Sequence, residues 1–318
     1  MTVERFLAFY PSMPYIAVDK GDLENNPDEQ TFNRQMAEIV FEKIKPDYTL
    51  KFSRDGRVLL RLHHLEIPDM ADSLSVEQAD TLTEFYIDLL NIINLLLDSA
   101  LIEVEKTHYF RISEITINHC FTSDNQGEGI ATQSWSQYYQ ERRFWSTHSS
   151  HLPIGISAGI FINRVVSQAT LERLASNFEC IFSNTILIKD IALLTRSLAA
   201  YQALSNEASF TMAWFAVESK LRQLAHDNRQ QVGGCKMNEK TNISIVINCL
   251  KRRGLISPDI ATKADDLRKI RNKVSHRDPN FNLSTVNTRE CLALAHTLIQ
   301  NYFNFQFRIG FARNHLPF

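Results

Sequence analysis

Lys269-Ile270-Arg271-Asn272-Lys273-Val274-Ser275-His276-Arg277-Asp278-Pro279 reads as the last turns of a helix. Pro279 drives the residue before it out of helical backbone space, so the helix is predicted to stop near His276 or Arg277. At about 100° per residue, Leu267, Ile270 and Val274 fall on one apolar stripe within about 60° of each other. Arg268, Arg271, Asn272, Ser275 and His276 fall on one polar arc flanking and opposing that stripe. Guanidinium, amide and imidazole groups thus gather at a helix end, with no carboxylate among them. That inventory suits a phosphodiester: a guanidinium for its charge, an imidazole to move a proton and an amide to orient it.

The residues upstream and downstream prolong the helical pattern. Leu187, Ile191, Leu194, Leu198 and Tyr201 make one stripe; Phe210, Trp214, Val217, Leu221 and Leu224 make a second. Gly233-Gly234 interrupts the chain. A third helix is predicted over Ile243 to Arg252, ending in basic residues and the glycine cap Gly254. Ser257-Pro258-Asp259 opens the quoted helix with an N-cap, a proline in the first turn and an acid beside it. Ser284 caps a last helix running through Leu294 and Leu298 towards Phe305. Residues 186–318 therefore read as an all-α helical bundle with short connections.

Arg-Asn-x-x-x-His at a helix end in a C-terminal helical region resembles the signature of the HEPN superfamily, and the long second helix with Glu218 near its stripe resembles the Apea-like branch. Looser arginine–histidine spacings occur at Arg57/His63, Arg143/His148 and Arg289/His296, but only Arg271 is followed by asparagine. The resemblance covers the helical region alone. It implies a metal-independent endoribonuclease of a prokaryotic defence, abortive-infection or toxin system, acting on RNA as a homodimer joined through the bundle. Arg271, Asn272 and His276 would be catalytic, with Arg268, Lys273, Ser275 and Glu218 supporting them or binding RNA. Some HEPN-like bundles are instead non-catalytic modules for nucleotide or RNA binding or for oligomerisation, and that is the alternative reading. Glu218 itself reads in two ways: as half of an i,i+4 pair with Arg222, or as a carboxylate that holds Arg271 or Arg268.

Residues 1–185 read as an α+β domain. A helix is expected around Phe32 to Ile44, after a polar loop at residues 19–30. Tyr48, Leu50 and Phe52 alternate with polar residues, Asp55-Gly56 supplies a turn, and Val58, Leu60 and Leu62 resume the alternation: a hairpin. His63 and His64 follow it, facing opposite ways on a strand, which suits structure or solvent better than a shared metal. Ser75 and Gln78 form a capping box for a long helix with Leu82, Phe85, Leu89, Ile93, Leu96 and Ala100 on one face. Asp88, Asn91, Asn94 and Asp98 make a polar stripe along it, the pattern of an amphipathic helix and not of a membrane span. Strands are expected at Tyr109 to Phe121 and Ile154 to Asn163. Between them, Trp135 to Trp145 carries Tyr138, Tyr139, Arg142 and Arg143; this run reads as a helix with an aromatic core face, although such residues also stack bases. A domain of this size beside a self-sufficient bundle is expected to sense a ligand or partner, or to restrain the bundle.

The 318 residues favour two domains, and a net charge of −2 argues against a general nucleic-acid coat without excluding a local basic site. Five scattered cysteines without a CxxC pair predict reduced thiols in a cytoplasmic protein and argue against zinc. The first ten residues do not read as a signal peptide. No cofactor is expected, since phosphate loop, dinucleotide fingerprint, metal cluster and nucleophile elbow are all absent from the sequence.

Overall fold

The computed structural model describes residues 4–11, 15–18, 35, 37–65, 75–107, 112–124, 165–229, 241–276 and 281–311. The chain divides into two units, Met1–Ser183 and Asn184–Phe318. The first is α+β and the second is helical. The expected loop at residues 19–30, the aromatic-basic run, the strand from Ile154 to Asn163 and the Gly233-Gly234 break lie outside the described residues.

In the first unit, β1 (Arg5–Phe9), β3 (Ile39–Ile44), β4 (Tyr48–Ser53), β5 (Val58–Leu62) and β6 (Cys120–Asp124) form an antiparallel sheet in the order β3-β4-β5-β1-β6. Two short strands, β2 (Ile16–Ala17) and β7 (Val165–Val166), pair in parallel. The β4–β5 hairpin forms on Asp55-Gly56 as the alternation predicts, with Tyr48 opposite Leu62 and Leu50 opposite Leu60. Gly56 is required twice over. Its φ is +81°, and a Cβ there would stand 2.8 Å from the Tyr15 carbonyl oxygen. Asp55 locks the turn by accepting from Tyr10 Oη at 2.6 Å, from Ser53 Oγ at 2.5 Å and from the Arg57 backbone N–H at 3.2 Å. His63 closes the other end of the hairpin, with one ring nitrogen 2.8 Å from the Pro46 carbonyl and the other 2.8 Å from Thr49 Oγ1.

Two expectations for this unit are corrected. Residues 39–44 are a strand and not the end of a helix. Opposite β4, Glu42 faces Lys51 in a 2.7 Å ion pair, and Phe41 meets Phe52 edge-on with ring centroids 5.8 Å apart. Of the strand expected from Tyr109 to Phe121, residues 109–111 lie outside the described residues, residues 112–116 lie in no sheet, and the strand begins at Cys120.

The reason for the second correction lies in α1 (Val76–Ala100), which starts on the Ser75–Gln78 capping box as predicted. Most of its polar stripe does not face water: Asn91, Asn94 and Asp98 are buried, and Asp88 is half-buried. Asn91 Nδ2 donates to the Ile115 carbonyl at 2.9 Å, and its Oδ1 accepts the Ile115 N–H at 2.8 Å. Asn94 Nδ2 donates to the Ser113 carbonyl at 3.1 Å. Two amides of a helix therefore satisfy backbone that would otherwise need a neighbouring strand. This helix is the one described element long and apolar enough to span a membrane, and from Tyr86 to Ala100 nearly every residue is buried inside the unit. It continues as a π-turn, Leu101–Glu105. Glu105 Oε1 there accepts from the Ser167 N–H at 2.9 Å and from Thr170 Oγ1 at 2.7 Å, seating a carboxylate at the start of α2 (Gln168–Phe182).

The second unit comprises α3 (Thr185–Gln202), α4 (Asn206–Asp227), α5 (Ile243–Arg252), α6 (Pro258–Ser275) and α7 (Thr285–Phe303). The start signals read at Ser257 and Ser284 act locally, each side chain accepting a backbone N–H at the first turn of its helix, and Asn184 and Asn242 cap α3 and α5 in the same way. Helix α4 is central, packing on α3 and α7 and touching α5 and α6. Ile191, Leu194 and Leu198 of α3, Phe210, Trp214, Val217 and Leu221 of α4, and Leu294 and Ile299 of α7 are buried in the core between them. One expectation about thiols is corrected: Cys120, Cys180 and Cys291 are free, but Cys249 on α5 is disulfide-bonded.

Candidate functional site

Helix α6 ends where the proline rule places its end, with Ser275 its last residue and His276 its C-cap. Ala261, Ala264 and Leu267 are its buried line. Ile270 and Val274 are only half-buried, so the apolar stripe is narrower than the sequence suggests. Continued by one turn from Leu267, the buried line arrives at Arg271. The polar arc does not simply oppose the bundle: Arg271 leans on it, half-exposed, while Ser275 and His276 of the arc, and Lys273 beside it, are exposed.

Arg271 Nη1 donates to Asn272 Oδ1 at 3.3 Å. Its Nη2 lies 3.9 Å from Glu218 Oε2 on α4. That separation is an ion pair without a hydrogen bond. Glu218 is mainly engaged within its own helix. Arg222 Nε and Nη2 donate to Oε1 at 3.0 and 2.7 Å, and Trp214 Nε1 donates to Oε2 at 3.1 Å. The i,i+4 pair with Arg222 is therefore the tight contact of Glu218, and Arg271 stands near the same carboxylate without a hydrogen bond to it. Arg222 Nη1 also donates to the Thr241 carbonyl at 2.9 Å, just before α5 begins.

The other residues around Arg271 on this helix differ in availability. Arg268 is neutralised on its own helix by Asp265 at 2.9 Å and does not reach Glu218. Hydrogen bonds from Lys269 first, then from Arg268, hold the Asp265 carboxyl below the usual carboxylate range. Lys273 places its ammonium 5.3 Å from the centre of the Phe281 ring. His276 presents its ring to solvent one turn after Asn272, whose carbonyl accepts the His276 backbone N–H at 2.9 Å. Among the described residues, no group of three or more His, Cys, Asp or Glu side chains is placed to hold a metal ion.

The competing arginine–histidine spacings are accounted for structurally where described. His63 closes the hairpin, as above. His296 on α7 is held by the Phe307 carbonyl at 2.9 Å and meets the Phe307 ring edge-on. Burial pushes the His296 imidazole below its ordinary range.

Sequence reasoning missed Trp214 as a member of the cluster, and it treated Arg222 only as a surface partner. The signal was legible: Trp214, Glu218 and Arg222 follow one another at four-residue spacing, which places them on one face of α4. What the cluster can do is hold an anion against one partly neutralised arginine, with an amide beside it and a solvent-facing imidazole at the end of the same helix. No protein-family model matches the chain, and neither a curated protein nor a solved structure matches it significantly.

Proposed function

We propose that the helical unit is a HEPN-type endoribonuclease that cleaves RNA without a metal ion. The observation that carries this reading is Arg271, half-exposed at a helix end and, among the described residues, committed by hydrogen bond only to Asn272, with the exposed His276 on the next turn. RNA supplies its own nucleophile. The ribose 2′-oxygen bonds to phosphorus as its proton passes to a base; the bond from phosphorus to the 5′-oxygen breaks, and an acid protonates that oxygen. The products are a 2′,3′-cyclic phosphate and a 5′-hydroxyl. Arg271 binds the phosphate oxygens as charge accumulates on them, Asn272 orients the phosphate or the imidazole, and His276 moves a proton. Lys273 and Ser275, exposed on the same last turn, contact the RNA backbone.

One imidazole serves poorly as acid and base in the same step. We therefore propose a symmetric dimer through the helical unit, in which two copies of the α6 end face one phosphate. Within a copy, Glu218 offsets part of the arginine charge that such an arrangement brings together.

The test is cleavage of RNA by the purified full-length chain. Arg271→Ala and His276→Ala are expected each to lower the rate by about 10²–10⁴-fold. Stability should hardly change, because a partly exposed ion pair without a hydrogen bond contributes about 0–1 kcal/mol. Full activity in either variant, or unfolding of both, refutes the assignment. Mixing the two variants should recover measurable cleavage if one copy can supply the arginine and the other the histidine. A wild-type chain that cuts RNA at full rate as a monomer refutes the dimer.

A further inference from the structure

Arg222 has no part in that chemistry, yet it makes the tightest contacts in the cluster. Two of its nitrogens donate to Glu218 Oε1, at 3.0 and 2.7 Å, and the third donates to the Thr241 carbonyl at 2.9 Å. Trp214 Nε1 donates to the other Glu218 oxygen. Three donors from α4 thus hold the Glu218 carboxylate, and Arg271 remains 3.9 Å from its Oε2. Carboxylate and phosphate compete for the same fork of an arginine. Were Glu218 unrestrained, the two-point pair it could form with Arg271 would occupy the donors that a phosphodiester needs.

We infer that Arg222 is a positioning residue for Arg271: by engaging Glu218 and anchoring on the Thr241 carbonyl, it keeps that carboxylate from closing on Arg271 and leaves the guanidinium open to the phosphodiester of RNA. Glu218 then acts at a distance, attracting Arg271 enough to place it and too weakly to occupy it. Trp214 shares the task on the second oxygen. The inference rests on the reading of Arg271 as a phosphate-binding group.

The test measures binding, so that it does not depend on turnover. A fluorescein-labelled single-stranded DNA oligonucleotide lacks the 2′-hydroxyl and cannot be cut by the proposed route. Its anisotropy is titrated with the full-length wild type, Arg222→Met, Glu218→Gln and the double variant. Arg222→Met should weaken binding about tenfold, equivalent to about 1.4 kcal/mol. In the Glu218→Gln background the same substitution should weaken it less than about twofold, because no carboxylate remains to close on Arg271. An equal loss in both backgrounds, or no loss in either, overturns the inference even if the wild type cleaves RNA. If Arg222→Met fails to fold, Arg222→Lys retains the charge but cannot reach Glu218 and Thr241 together. It should show the same dependence on background, and its absence overturns the inference equally. A wild type that neither binds the oligonucleotide nor cleaves RNA removes the functional reading, and this inference with it.

Discussion

Lys220 on α4 is 1 % exposed, and its ammonium is paired with the nearly buried Asp190 of α3. It also meets Gln223 and lies 4.5 and 4.6 Å from the ring centres of Tyr302 and Phe303 on α7. Burial pushes the Asp190 carboxyl above its usual range, and the hydrogen bond and charge of Lys220 bring it only part of the way back. Lys220→Met keeps most of the stem and removes the charge. The stranded carboxylate should cost about 3–5 kcal/mol at neutral pH, the range for breaking one side of a buried pair. The loss carries a pH signature. Without Lys220 the folded-state pKa of Asp190 rises further above its unfolded value near 3.8. A raised folded-state pKa contributes stability below the unfolded value that disappears as pH rises. The deficit of the variant should therefore be smallest in acid and grow towards neutrality. Asp190→Leu together with Lys220→Met removes both charges and should recover most of the loss. Urea unfolding of the full chain measures this, in a background carrying Trp135→Phe and Trp145→Phe so that the buried Trp214 is the reporter. A Lys220→Met variant within about 1 kcal/mol of its parent, or a double variant no better than the single one, refutes the reasoning.

Two further outcomes follow from buried polar contacts. Asn91→Ala leaves the N–H and C=O of Ile115 without their partners on α1 and should cost about 2–4 kcal/mol, read as a fall in the urea midpoint. A cost under about 1 kcal/mol would show that water replaces the amide there. His296, whose folded-state pKa burial lowers below 6.5, should stay neutral in the native chain while the unfolded chain takes up a proton. Stability should then be intact above 6.5 and fall as pH drops through that value, and His296→Gln should fall less steeply between about pH 7.5 and 5.5. Equal slopes for the two chains would remove the role given to this ring.

Local chemistry settles what five or six neighbouring residues can settle. Asp55-Gly56 makes its turn because glycine takes the positive φ there without the strain a Cβ brings, and Ser257-Pro258 starts α6 because side-chain oxygen and proline ring act on the adjacent backbone. The same holds for the Ser75–Gln78 box, for α5 from Ile243 to Arg252, and for Ser284 at the start of α7. The grouping of Arg271, Asn272 and His276 at one helix end was legible for the same reason, since it depends only on helix geometry and a following proline. The alternation in residues 39–44 was too weak to compete with a helical reading until β4 supplied Lys51 and Phe52 as cross-strand partners. The stripe of Asn91 and Asn94 looks like a solvent face because periodicity separates polar from apolar but does not say what the polar side meets. Here it meets the backbone of residues 113 and 115. The state of the site was decided in the same way. Sequence places Glu218 and Arg222 one turn apart on α4 and Arg271 on another helix. Only the packing of α4 against α6 brings the carboxylate to 3.9 Å from Arg271 while Arg222 and Trp214 retain its hydrogen bonds. Distances between helices depend on how whole faces interdigitate, and no local pattern encodes them.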